Sequence, residues 1–89
     1  MEKKPYYLIQ SAVRTLQIIE YLSQKGEVSV KEVAEYIGEN KTTAHRFLSS
    51  IKHEGFLEQN SESKKYKLSL KLFEIGNKIV DTLDLRMIA

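Results

Sequence analysis

The sequence predicts a small, mainly α-helical domain that carries one β-hairpin, in the order α-α-α-β-β-α. Apolar residues recur at helical spacing in three consecutive segments between positions 12 and 51, and glycines separate these segments. Two short strand-like stretches follow, and a further helical segment begins at Ser69. With 89 residues, no cysteine and one proline, the chain has room for one small core and no disulfide framework.

The first predicted helix begins at Ser11, a residue type that caps helix N-termini, and ends at Gly26. Its apolar face is expected to consist of four residues at helical spacing: Ala12, Leu16, Ile19 and Leu22. The preceding residues, 1–8, are expected to form an N-terminal arm.

A capping box opens the second predicted helix, with Ser29 at the cap position and Glu32 three residues later. The apolar stripe of this helix contains Val30, Val33, Ala34 and Ile37. Gly38 ends the helix and Asn40 caps the third, so the connection between them forces an abrupt change of direction. The two helices therefore predict a helix-turn-helix.

The third predicted helix, residues 41–53, has two chemically different sides. Its apolar side contains Ala44, Phe47, Leu48 and Ile51. Its other side presents Lys41, Thr42, Thr43, His45, Arg46 and Ser49. Hydroxyl, imidazole and guanidinium groups can bind base edges in the major groove and phosphates beside it, although the same residues would also suit an ordinary solvated helix.

The strand-like stretches, residues 56–59 and 65–68, predict a hairpin directly after the third helix. The connection between them lacks glycine, so we expect a wide loop instead of a two-residue turn. Lys64 and Lys65 fall at its tip, where positive charges can contact phosphates beside an occupied groove. A helix-turn-helix followed by such a ribbon predicts a winged helix-turn-helix.

Charge and composition exclude several other classes of protein. The net charge is +2, but residues 40–71 carry an excess of positive charge, which favours a polyanionic partner. The longest apolar run, residues 6–9, is far shorter than the about 20 residues that span a bilayer. Motifs for catalysis, metal binding or cofactor binding are absent from the sequence. We therefore expect a cytoplasmic DNA-binding protein that is not an enzyme and has no cofactor.

The last predicted helix runs from its cap at Ser69 to about Met87. One apolar stripe contains Leu72, Ile75, Ile79 and Leu83, and a second contains Phe73, Val80 and Met87. This apolar surface exceeds what one small core needs, which predicts a homodimer through this helix. The alternatives are packing against the first helix or against a further domain.

Several motifs in this order and spacing resemble the N-terminal DNA-binding domain of IclR-type transcriptional regulators, over about residues 9–76. They are Ser11-x-x-Arg14, Val33-Ala34-x-x-Ile37-Gly38, Lys41-Thr42-Thr43-Ala44-x-Arg46-Phe47-Leu48, Glu54-Gly55-Phe56-Leu57, Tyr66-Lys67-Leu68 and Leu70-x-Leu72-x-x-x-Gly76. Two residues depart from the family pattern: Asn40 stands where proline or a small residue is common, and Ser69 where glycine is usual.

The resemblance implies roles for individual residues. It implies that bases are contacted by Thr42, Thr43, His45 and Arg46. It also implies that phosphates are bound by Arg14, Lys41, Lys64 and Lys65. It implies a DNA-binding domain over residues 9–68 and a linker helix over 69–89, leading to a C-terminal domain that binds a small-molecule effector. The expected partner is a double-stranded DNA operator, and the regulator to which this domain belongs is expected to be a repressor. A MarR-like or GntR-like winged helix, or one that binds protein, remains as an alternative.

Overall fold

Within residues 5–83, which the computed structural model describes, the chain forms four helices and a three-stranded antiparallel sheet. The elements are α1 (Gln10–Lys25), β1 (Glu27–Val28), α2 (Val30–Ile37), α3 (Lys41–His53), β2 (Leu57–Gln59), β3 (Tyr66–Leu68) and α4 (Leu70–Leu83). The predicted fold class, mainly α with a β-hairpin in a winged helix-turn-helix, is confirmed.

The predicted order of elements missed one strand. β1 pairs with β3, so that Val28 lies opposite Tyr66, and β2 pairs with the other edge of β3. A strand of two residues is too short to show the alternation of apolar and polar side chains from which strands are predicted. Because β3 is the central strand, the hairpin is attached to the segment that joins α1 to α2.

The hydrophobic core lies between the sheet and the first three helices. Every element from α1 to β3 contributes to it, and its buried side chains are Ile18, Leu22, Val28, Val33, Ala34, Ala44, Leu48, Ile51, Leu57 and Tyr66. The ring of Tyr66, 1 % exposed, belongs to the central strand and is among the largest of them. Burying a side chain such as Leu48 stabilises the fold by about 1.5–3 kcal/mol.

α1 buries only the second half of the predicted apolar stripe. Ile9 occupies its N-cap position and makes no side-chain capping hydrogen bond, so the predicted cap at Ser11 is wrong. Leu22 is buried and Ile19 packs against the core, as predicted, but Ala12 and Leu16 are exposed, Leu16 by 64 %, and the buried Ile18 lies outside the predicted stripe. Residues 18 and 22 are about one turn apart, and residue 16 lies on the opposite side of a helix with 3.6 residues per turn.

The caps predicted for α2 and α3 are confirmed. Ser29 Oγ accepts a hydrogen bond from the backbone N–H of Glu32 at 3.1 Å, and Glu32 Oε1 accepts one from the N–H of Ser29 at 3.0 Å. The hydrogen bond from the Ser29 backbone is the main cause that lowers the pKa of the Glu32 carboxyl. Gly38 takes a left-handed conformation at φ +71°, and Asn40 Oδ1 accepts from the N–H of Thr43 at 2.8 Å.

α4 begins after Ser69, as predicted. Ser69 Oγ accepts a hydrogen bond from the N–H of Lys71 at 3.2 Å and donates one to the carbonyl of Gly55 at 2.6 Å. Across residues 70–82, α4 buries no side chain, and Phe73 is 69 % exposed. The predicted end of this helix near Met87 lies outside the described residues.

Candidate nucleic-acid interface

α3 turns its apolar side into the core and leaves its polar and basic side in solvent. Ala44 and Leu48 are fully buried, and Ile51 is 5 % exposed. On the other side, Thr43 and Ser49 are half-buried. The remaining predicted contact residues of α3 are exposed: Lys41, Thr42, His45 and Arg46. The helix therefore presents hydrogen-bond donors and positive charge along its outer surface.

Arg46 lies on the side of α3 that faces the start of α1. An open cleft, here called the α1–α3 cleft, is lined by Ser11, Thr43, Arg46, Phe47 and Ser50. Within residues 5–83, no carboxylate forms an ion pair with the Arg46 guanidinium. Because Thr42 precedes Arg46 by about one turn on the exposed side, both side chains can enter the same groove.

His45 and Ser49 lie on the opposite side of α3, towards the hairpin. Ser49 Oγ and His45 Nδ1 are 3.5 Å apart. A second open cleft, here called the α3–hairpin cleft, is lined by His45, Ser49, Lys52, His53, Gln59 and Tyr66. One cleft therefore borders α3 on each side of its exposed surface.

Lys64 and Lys65 lie at the tip of the hairpin, and both are exposed. The connection spans residues 60–65, which confirms the predicted wide loop. Asn60 Oδ1 accepts hydrogen bonds from two backbone N–H groups of this loop, at 2.8 and 2.9 Å. Gln59 Nε2 donates to the carbonyl of Lys64 at 3.1 Å, and Lys64 takes a left-handed conformation at φ +67°. These local hydrogen bonds fix the shape of the loop that carries the two lysines.

Arg14 reaches the turn between α2 and α3. Its Nη1 lies 2.5 Å from Oε2 of Glu39, and the two side chains are 31 % and 33 % exposed. Glu39 directly precedes Asn40, the cap of α3, so this ion pair joins α1 to the start of α3. The contact of Arg14 with a phosphate stays a prediction.

The structure thus distributes the predicted contact residues over the outer side of α3, the start of α3 and the hairpin tip. Among the residues that line the clefts, the sequence-based prediction missed Ser11, Ser50, Lys52, His53 and Gln59 as site residues. Lys52 follows His45 by seven residues, so helical spacing alone could have placed both on one side of α3. Gln59 and Ser11 belong to other elements, and no spacing rule connects them to α3.

Residues 5–83 contain no cluster of three or more His, Cys, Asp or Glu side chains that could hold a metal ion. In the same part of the chain, no helix has the length and the apolar character needed to cross a membrane. What the described surface does offer is a set of exposed cations and neutral donors around α3, which suits a polyanion.

A helix-turn-helix with an exposed polar second helix, followed directly by a basic hairpin, defines a winged helix-turn-helix domain. Residues 11–61 match the family model described as the IclR helix-turn-helix domain. The chain belongs to this family, and its domain is of the DNA-binding kind that transcriptional regulators contain. Membership of the IclR family disfavours the alternative of a MarR-like or GntR-like domain.

Individual relatives and a solved structure agree with this family. The HTH-type transcriptional regulator KdgR of Dickeya chrysanthemi is 35 % identical over 77 residues, which cover 86 % of this chain and 25 % of that protein. XynR, an HTH-type transcriptional regulator of Escherichia coli strain K12, is 34 % identical over 80 residues, covering 89 % and 32 % of the two chains. A crystal structure of an IclR transcriptional regulator from Alicyclobacillus acidocaldarius is similar at a TM-score of 0.79 and 28 % identity, covering 85 % of this chain and 31 % of that one. This chain therefore spans about a quarter to a third of the length of the curated relatives that it matches.

Proposed function

We propose that this chain binds double-stranded operator DNA sequence-specifically, as the DNA-binding part of a transcriptional repressor. In this proposal α3, residues 41–53, lies in the major groove and the hairpin, residues 56–68, contacts the backbone beside it. The observation that carries the proposal is the exposed polar and basic side of α3, opposite the buried Ala44 and Leu48. The hairpin adjoins that side, because its Gln59 lines the same cleft as His45 and Ser49 of α3, and it carries two exposed lysines at its tip.

Base reading is assigned to the outer side of α3, through Thr42, Thr43, His45 and Arg46. The Arg46 guanidinium can form a bidentate pair with guanine, which contributes about 1–3 kcal/mol of discrimination between bases. Thr42 and His45 are exposed and can reach base edges, whereas Thr43 is half-buried in the α1–α3 cleft. Thr43 therefore contacts DNA at the edge of the interface.

Phosphate binding is assigned to residues around the outer side of α3. Lys41 is exposed in the first turn of α3, and Ser49 presents its hydroxyl further along the helix. Lys64 and Lys65 act from the hairpin as positive point charges. Arg14 can reach a phosphate near the start of α3 by sharing its guanidinium between that phosphate and Glu39.

A second copy of the chain is the proposed partner of α4. Phe73 and Val80 are seven residues apart and are 69 % and 45 % exposed. Pairing two α4 helices would cover these side chains and place two copies of α3 over half-sites roughly 34 Å apart. Sedimentation at rising protein concentration tests this arrangement, and a chain that stays monomeric would contradict it.

The parent protein is proposed to be cytoplasmic and to carry, beyond α4, a domain that binds a small-molecule effector. The family resemblance and the shorter length of this chain relative to its relatives support this proposal. Repression then follows from occupancy, because a domain bound to an operator excludes other proteins from the same DNA.

A winged helix that binds protein through α3 is not favoured. Such a domain would need apolar side chains on the exposed side of its second helix-turn-helix element. In the part of the chain that the structure describes, the large exposed apolar residues lie before α3 or on α4. The exposed side chains of α3 are polar or charged, which suits DNA.

Removing Arg46 and removing the hairpin lysines should weaken DNA binding in different ways. Arg46→Ala should narrow the affinity gap between operator and scrambled duplex, because it removes a base contact. Combined Lys64→Ala and Lys65→Ala should weaken both duplexes about equally and flatten the plot of log affinity against log salt by about two units. Fluorescence anisotropy of labelled duplexes across a salt series measures both effects, after selection from random duplexes has identified the operator.

The two variants serve as controls for each other, since each removes side chains that are exposed. An equal loss on both duplexes for Arg46→Ala would show that this residue contacts a phosphate, and base reading by Arg46 would be wrong. A wild-type chain that binds operator no better than scrambled DNA would overturn sequence-specific binding.

A further inference from the structure

The α3–hairpin cleft combines side chains from two elements that the proposed DNA complex places on either side of one DNA strand. Ser49 and Lys52 enter the cleft from α3, and Gln59 enters it from β2. Tyr66, 1 % exposed, forms part of its base. The cleft is therefore an open channel that lies against the core and carries donors on both sides.

The geometry of B-DNA determines what passes through this channel. A helix that lies in the major groove is bordered on each side by a sugar-phosphate backbone, because the groove is only about 12 Å wide. With α3 in the groove and the hairpin beyond it, the strand between them must cross the α3–hairpin cleft. The side chains that line this cleft then face phosphates and sugars instead of base edges.

The chemistry of the cleft suits a phosphate. Lys52 is exposed and brings a positive charge, while the Ser49 hydroxyl and the Gln59 amide are neutral donors of the kind that contact DNA backbones. One N–H of the Gln59 amide already donates to the Lys64 carbonyl at 3.1 Å, and the amide has a second N–H to offer.

Basic side chains also weaken the negative end of the α3 dipole, which would otherwise repel an anion. Lys52 and His53 both lie in the last turn of the helix. In addition, Lys71 Nζ donates to the Glu54 carbonyl, the C-cap of α3, at 2.6 Å. Within residues 5–83, Lys52 forms no ion pair with a carboxylate, so its positive charge is available to the cleft.

We infer that the α3–hairpin cleft is a binding site for a DNA-backbone phosphate, in which Lys52 supplies the charge and Ser49 and Gln59 donate hydrogen bonds. This inference rests on the proposed function, because it takes α3 to lie in the major groove. It assigns to Lys52 and Gln59 a contact that is separate from those at the hairpin tip.

The test measures binding of the chain to a labelled duplex of mixed sequence between roughly 50 and 200 mM salt. Lys52→Ala should reduce the slope of log affinity against log salt by about one unit, because one fewer phosphate is neutralised. Gln59→Ala should weaken binding with a smaller loss of slope than Lys52→Ala, since the amide is uncharged and only its hydrogen bond to the Lys64 carbonyl links it to the hairpin lysines. Lys78→Ala is the matched control, because it removes an exposed lysine from α4 and should leave the slope unchanged.

A second measurement locates the phosphate. Single phosphates of the operator are replaced in turn by neutral methylphosphonate groups. One position should weaken the wild-type chain but have little further effect on Lys52→Ala. All variants should retain the wild-type helical circular dichroism and melting temperature, because the substituted residues lie outside the core.

The outcomes separate this inference from the proposed function. The salt dependence of affinity could stay at the wild-type slope in Lys52→Ala and fall in the hairpin lysine variant. This result would overturn the phosphate site and leave DNA binding intact. A slope loss for Lys78→Ala equal to that of Lys52→Ala would also overturn it, because the effect would then be one of net charge. A wild-type chain without salt-dependent affinity for any duplex would overturn the proposed function itself.

Discussion

α2 and α4 are both amphipathic helices that follow a serine cap, but they differ in what covers their apolar sides. In α2, Val33 and Ala34 are 0 % and 5 % exposed, because α1 and α3 pack against them. In α4, Phe73 is 69 % exposed, and the hydrogen bonds that join this helix to the domain are at its first turn, through Ser69 and Lys71. Helical spacing therefore identifies which residues share a face, but not which surface, if any, covers that face.

The largest expected difference between the two regions is in their contribution to folding. Leu48→Ala, in the helix that packs against α2, should lower the free energy of unfolding by about 2–5 kcal/mol, because Leu48 is fully buried. Phe73→Ala should change it by less than about 0.5 kcal/mol, because the ring is exposed. Urea unfolding at low protein concentration, followed by circular dichroism, measures both values. A loss for Phe73→Ala as large as that for Leu48→Ala would show that the apolar side of α4 is covered in solution.

The two serine caps provide a second, smaller contrast. Ser29→Ala should cost about 1 kcal/mol of stability, because it leaves the N–H of Glu32 without its partner in a helix that belongs to the core. Ser69→Ala should cost less in global stability and instead increase amide hydrogen exchange in the first turn of α4. Thermal unfolding and exchange measured on the same samples check this ranking. If Ser29→Ala left melting unchanged but weakened DNA binding, the serine would act on DNA instead of on the helix.

The smallest expected effect concerns the ion pair that joins α1 to the start of α3. Arg14→Gln and Glu39→Gln should be coupled by about 0.2–1 kcal/mol in a double-mutant cycle, because both side chains are about one-third exposed and solvent screens the pair.

DNA binding by the same variants tests the predicted phosphate contact of Arg14. Arg14→Gln should lower the salt slope by about one unit, and Glu39→Gln should not lower it. If both variants showed the same slope of log affinity against log salt, Arg14 would position α3 and would not contact a phosphate.

Local signals in the sequence were sufficient to predict the helix-turn-helix. Ser29, Glu32, Gly38 and Asn40 form caps and a turn with residues a few positions away, so their roles follow from spacing and from side-chain chemistry. The outer side of α3 was predictable for the same reason, since the period of 3.6 residues places these side chains on the side opposite the buried stripe.

Contacts between residues far apart in the chain could not be predicted from the spacing of residue types. α1 offers apolar residues on more than one face, and the sequence could not show that the face with Ile18 would meet the core. β1 exists because β3 presents a free edge to Val28, a pairing between residues far apart in the chain. The partner of Arg14 is 25 residues away, for which no local rule applies.

Spacing and side-chain chemistry were enough to predict the class of the domain, the caps and the turn of α2 and α3, and the side chains that α3 directs away from the core. These properties depend on interactions within a few residues, where geometry is set by the helical period and by the chemistry of each side chain. The packing of the elements against one another settled which residues of α1 are buried, that a third strand supports the hairpin, and that Lys52 and Gln59 meet in one cleft. Those outcomes depend on how separate elements pack, because burial is a property of the surfaces that meet and not of either segment alone.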